Sequence, residues 1–266
     1  MKPVTVTTVR EMKRAHDKIV CLTAYDYSFA SLIDRAGVDM VIVGDSLGMV
    51  MQGHDSTLPV TMEHMVYHSA CVARGISRAL LVVDLPFGSY QASPAQALES
   101  AGRLMKEGGA HVVKLEGGAP MLDTVRFLVD RGIPVCGHIG LTPQSVHQFG
   151  GYRVQGRDDP TAHRIREDAR LLEEAGACLL VLEAVPAALG EAVSAALEIP
   201  VIGIGAGIGC DGQVLVLQDM LGLYPRPSPK FSRNFMQEGG GIEAAIRAYA
   251  DAVRSRTFPG PEHSFN

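Results

Sequence analysis

The chain has 266 residues, 47% of them hydrophobic, enough for a sizeable core in one or two domains. Its 29 acids and 24 bases are interspersed and leave a net charge of −5, with no Lys/Arg block and no alternation of aromatic and basic residues, so nucleic acid and anionic membrane are poor partners. Asp, Glu, Gly or Pro interrupts every apolar run well short of the roughly 18 residues a membrane helix needs, and the opening MKPVTVTTVR has no apolar targeting core, so a soluble, cytoplasmic protein is expected.

Along the chain, short runs rich in Val, Ile and Leu predict strands: IVCLTA (19–24), VDMVIVG (38–44), ALLVVDLP (79–86), HVVKLEG (111–117), IPVCGHIG (133–140), CLLVLEAV (178–185) and IPVIGIGAG (199–207). Between most of them lie segments with helical spacing, such as SPAQALESAGRLMKEGG, MLDTVRFLVDRG and RIREDARLLEEAGA. Continuous apolar runs alternating with amphipathic helices predict a parallel sheet buried on both faces. An eighth strand fits QVLVLQD (213–219), where a helix fits as well, and GGIEAAIRAYADAVRSR predicts a closing helix. The count favours one (β/α)8 TIM barrel spanning residues 1–266 over an open doubly wound sheet. The segments 151–164 and 223–231 read as long surface loops, the first a lid over the site. Five cysteines without any CxxC pair read as reduced core thiols.

The C-terminal ends of barrel strands converge on one mouth, so polar residues there meet although far apart in sequence. Those ends carry Asp45 and Ser46 (strand 2), Asp84 (strand 3), Lys114 and Glu116 (strand 4), His138 (strand 5) and Glu183 (strand 6). The period of two puts Lys114 and Glu116 on one face and Leu115 on the other. Any one of these acids could be a solvated strand terminus or a helix N-cap. Four carboxylates in one low-dielectric mouth repel one another and need a cation, protonation or a lysine such as Lys114. Oxygen donors without cysteine favour a hard ion, and sparse carboxylates suit Mg2+. His64 and His68 have the spacing of a zinc helix but lack its acid, and read as a partly exposed helix face. GIGAGIG (203–209) departs from GxGxxG at Ile208 and reads as a tight, closely packed turn rather than a phosphate site.

The segments VGDSLGMVMQGHDSTLPVT, DLPFGSY, VKLEGG, PVCGHIGLTPQSV, LLVLEAVP and IPVIGIGAG, together with the tail PGPEHSF, resemble the ketopantoate hydroxymethyltransferase family over nearly the whole chain. The resemblance implies a homodecameric (β/α)8 barrel that uses Mg2+ and transfers a one-carbon unit from 5,10-methylenetetrahydrofolate to 3-methyl-2-oxobutanoate. It further implies Asp45, Asp84 and Glu116 at the metal, Asp45, Ser46, Asp84 and Lys114 at the oxo acid, and Glu183 as proton acceptor. The oxo acid would chelate Mg2+, which stabilises an enolate. Segments 158–166 and 224–229 match the family less well. A Schiff-base lyase built on Lys114 and a noncatalytic metabolite-binding barrel are the competing expectations.

Overall fold

In the computed structural model, which describes residues 2–266, eight parallel strands close into a barrel in sequential order. They are β1 (Ile19–Thr23), β2 (Met40–Val43), β3 (Leu80–Asp84), β4 (Val112–Glu116), β5 (Val135–Gly140), β6 (Leu179–Glu183), β7 (Val201–Ile204) and β8 (Gly212–Leu215). β8 returns to β1, with Val214 opposite Cys21, and that pairing closes the ring.

The strands read as unbroken apolar runs because both faces are covered. Cys21, Ile42, Val82, Val112, Cys136 and Val181 pack inside the barrel, whereas their neighbours Leu22, Val41, Leu81, Val113, Val135 and Leu180 pack under the helices. Each such side chain contributes about 1.5–3 kcal/mol by leaving water.

Helix α1 (Val6–Arg14) precedes β1, and α2 (Tyr27–Arg35) follows it. The short α3 (Leu47–Val50) and α4 (Met62–Gly75) follow β2, α5 (Pro94–Lys106) follows β3, and α6 (Leu122–Val129) follows β4. After β5 come α7 (Val146–Phe149) and α8 (Asp159–Glu174), after β6 α9 (Ala187–Ala196), and after β8 α10 (Leu217–Met220) and α11 (Ile242–Arg254). Thr5, Asp26, Thr61, Ser93 and Asp158 cap α1, α2, α4, α5 and α8, each accepting a backbone N–H with its side chain. Helix α1 lies across the N-terminal end of the barrel: Val4 N donates to Arg78 O, and Lys13 Nζ donates to Ser194 O and Ile199 O and pairs with Asp211 at 2.8 Å.

The run GIGAGIG is the tight turn that the sequence predicts, and two other expectations change. No helix separates β7 from β8; the glycine-rich loop itself makes the return. Gly205 and Gly207 have positive φ there, and a Cβ at Gly207 would stand 2.5 Å from Ala187 Cβ, so the run packs tightly as a turn. Residues 213–219 are neither all strand nor all helix, because β8 stops at Leu215 and α10 begins at Leu217. The segment 151–164 is irregular only to Arg157, since Asp158 accepts from Thr161 N at 2.9 Å and Pro160 sits in the first turn of α8.

Candidate active site

Strand parity brings the polar residues together. Continuing the inner face of β3 past Val82 gives Asp84; β4 past Val112 gives Lys114 and Glu116; β5 past Cys136 gives His138; β6 past Val181 gives Glu183. Asp45 lies two residues beyond β2, in a turn whose inner position is Gly44. A Cβ at Gly44 would stand 2.7 Å from Ser46 Oγ and 3.6 Å from Asp84 Oδ2, so the glycine leaves room for both. The backbone N–H of Asp45 then donates to Asp84 Oδ2 at 3.2 Å. These groups line one end of a cavity of about 590 Å³, whose outer walls include Tyr152, Tyr224 and Arg226.

Lys114 Nζ lies 3.2 Å from Asp84 Oδ2 and 3.1 Å from His138 Nδ1. Burial works against the lysine's charge, but Asp84, Glu116 and Asp45 outweigh it and push its pKa up, so the residue is an ammonium. Burial and the nearby Lys114 hold His138 well below the usual imidazole range. A neutral His138 that accepts from Lys114 at Nδ1 carries its proton on Nε2, which stands 3.2 Å from Glu183 Oε2 without hydrogen-bond alignment.

The four acids share this one ammonium. Burial, and then repulsion from Asp84, pushes Asp45 up to about 7. Burial also raises Asp84, offset in part by Lys114, and lifts Glu116 well above the usual range, with Asp45 adding to it. Glu183 is pushed up to about 8, chiefly by burial.

Gln144 and Tyr90, which carry no charge to draw attention in the sequence, organise this cluster. Gln144 Nε2 donates to Asp45 Oδ2 at 2.8 Å and to Leu85 O at 3.0 Å, and Gln144 N donates to Glu116 Oε2 at 3.0 Å. Tyr90 Oη donates to Gln144 Oε1 at 2.7 Å and accepts from Glu116 N at 3.1 Å. Both lie in the segments DLPFGSY and GLTPQSV, so their place in long specific motifs was the available signal. Ser46 Oγ bonds Tyr25 Oη at 2.9 Å.

Among the described residues, no three His, Cys, Asp or Glu side chains are gathered around one point suited to a metal ion. Asp45 and Asp84 adjoin, whereas Glu116 faces Gln144 and His138. The donor set still fits a divalent cation completed by water and substrate. Asp84 Oδ1 is buried without a partner, and the carboxylates outnumber their one counter-charge. His64 and His68 serve separately: the first accepts from Thr61 N at 3.2 Å, and the second bonds Tyr25 O through Nδ1 at 2.7 Å. All five cysteines are free.

Solved structures of similar fold include oxaloacetate acetylhydrolase (TM-score 0.63, 13% identity, 97% of this chain and 100% of that one). Another is phosphoenolpyruvate phosphomutase from Streptomyces platensis subsp. rosaceus (TM-score 0.62, 12% identity, 95% and 97%). At such identities they speak for the barrel alone. Among sequence relatives, the 3-methyl-2-oxobutanoate hydroxymethyltransferase of Methylobacillus flagellatus is 63% identical over 97% of this chain and 98% of its own length. That of Thiobacillus denitrificans is 60% identical over 99% and 100%. The family model described as ketopantoate hydroxymethyltransferase matches residues 3–261, and the chain therefore belongs to the ketopantoate hydroxymethyltransferase family of transferase enzymes.

Proposed function

We propose that the barrel mouth transfers a hydroxymethyl unit from 5,10-methylenetetrahydrofolate to 3-methyl-2-oxobutanoate, giving 2-dehydropantoate for pantothenate synthesis. The observation that carries this reading is the set of three buried acids and the largely buried Glu183 around one ammonium in the cavity, in a chain of this family. A bound Mg2+ would supply positive charge at the keto oxygen and so acidify the adjacent C–H. Asp45 and Asp84 would hold it, with Glu116 reaching it through water.

Lys114 neutralises negative charge as it gathers on the oxo acid, and Ser46 hydrogen-bonds the substrate's oxygens. Glu183 takes the proton from C3. The folate methylene carbon gives up both its C–N bonds, to N5 and N10, gaining one bond to C3 and one to the oxygen of a water, and the protons from C3 and from that water end on the two nitrogens to leave tetrahydrofolate. A Schiff base on Lys114 is disfavoured, because an ammonium 3.2 Å from Asp84 has no free electron pair. Borohydride with the oxo acid should therefore leave the enzyme active.

The decisive assay measures 2-dehydropantoate formation by metal-stripped protein. Product that requires both the folate and added Mg2+ is expected, and product formed without either would overturn the reading. A homodecamer fits the exposed Tyr27 and Tyr67 on the outer helices α2 and α4. Light scattering showing a 28.4 kDa monomer would contradict it. A cytoplasmic location fits the five free thiols.

A further inference from the structure

The cavity is far larger than a five-carbon oxo acid needs, at about 590 Å³. Its β8 side carries groups that the oxo-acid chemistry leaves unused. Asp219, in α10, lines the cavity and is only 8% exposed. No hydrogen bond or ion pair reaches its carboxylate among the described residues, and burial pushes it up to about 6 with no cation nearby to offset the effect. On the same wall the hydroxyl of Tyr224 is buried without a partner. A carboxylate left alone in an apolar wall is costly unless a ligand completes it.

We infer that Asp219 recognises the one-carbon donor by accepting the paired N–H groups on the edge of its pterin ring; this rests on the folate reading above. A lone carboxylate cannot cage a metal ion, and none of the His, Cys, Asp or Glu side chains described here joins it in a group of three. Two parallel N–H donors, such as the 2-amino group and N3–H of a pterin, match a carboxylate fork. The position also suits transfer. Asp219, Asp45 and Ser46 line the same cavity, and Leu217 N donates to Thr23 Oγ1 at 3.0 Å, which ties α10 to the end of β1, two residues from the Tyr25 whose hydroxyl bonds Ser46.

The test is calorimetric titration of the Mg2+-loaded enzyme with tetrahydrofolate and, separately, with 3-methyl-2-oxobutanoate. In Asp219→Asn the Kd for tetrahydrofolate should rise roughly 10- to 100-fold, with no matching change for the oxo acid. Unchanged tetrahydrofolate affinity in the variant overturns the role of Asp219 and leaves the donor reading standing. Failure of the wild-type enzyme to bind tetrahydrofolate overturns both. A second measurement needs no variant: wild-type enzyme should bind a pterin lacking the 2-amino group correspondingly more weakly, and unimpaired binding would again overturn the assignment.

Discussion

Gln144 fixes two acids at once, Asp45 through its side chain and Glu116 through its backbone, while Tyr90 and Leu85 decide which way its amide points. Gln144→Ala should therefore weaken Mg2+ binding about 10- to 100-fold without unfolding the barrel. Calorimetric titration beside a circular dichroism spectrum would check this, and unchanged affinity would reduce Gln144 to loop packing. Asp45→Ala and Asp84→Ala should each abolish Mg2+-dependent activity, since each removes an oxygen donor without cutting an apolar side chain; unchanged Mg2+ affinity in both would place the ion elsewhere. The acids of this cluster were legible in the sequence because charge stands out against apolar strand ends. The neutral residues that orient them were not, because a glutamine or tyrosine in a loop looks the same in sequence whether it is exposed or, like Gln144 and Tyr90, buried.

At the strand ends, backbone shape matters as much as side chains. Gly140 closes β5 at φ 89°, and a Cβ there would stand 2.2 Å from Glu183 O, the carbonyl that also accepts Leu141 N. Gly140→Ala should cost about 2–4 kcal/mol, from the left-handed backbone and the overlap together, and should lower kcat by shifting Glu183. Denaturant melts and steady-state kinetics would show it, and wild-type values for both would contradict the account. The strands were readable because helices and barrel interior bury both faces, as in Leu80–Asp84. Helix α1 was not foreseen, since VTTVREMKR offers few apolar positions and its order comes from Thr5 and from the bonds of Lys13 to the distant Ser194, Ile199 and Asp211.

For the molecule as a whole, the acid cluster links stability to pH and to metal. The pKa values of Asp45 (about 7) and Glu183 (about 8) lie above the unfolded values near 4. Their contribution is therefore fully present below pH ~4 and is lost as pH rises through 7 and 8. A cation must displace the proton of Asp45, so its effect runs the opposite way. Saturating Mg2+ should raise Tm by about 5–10 °C at pH 8 and very little at pH 5, and equal shifts at both pH values would mean binding away from this cluster. The central claim is that Glu183 removes the C3 proton beside this cluster. The direct measurement is proton NMR of 3-methyl-2-oxobutanoate in deuterated water with enzyme and Mg2+ but no folate. The account predicts C3 exchange that speeds up as pH rises toward 8 and is lost in Glu183→Gln while oxo-acid binding survives. Exchange at the wild-type rate in Glu183→Gln would contradict it.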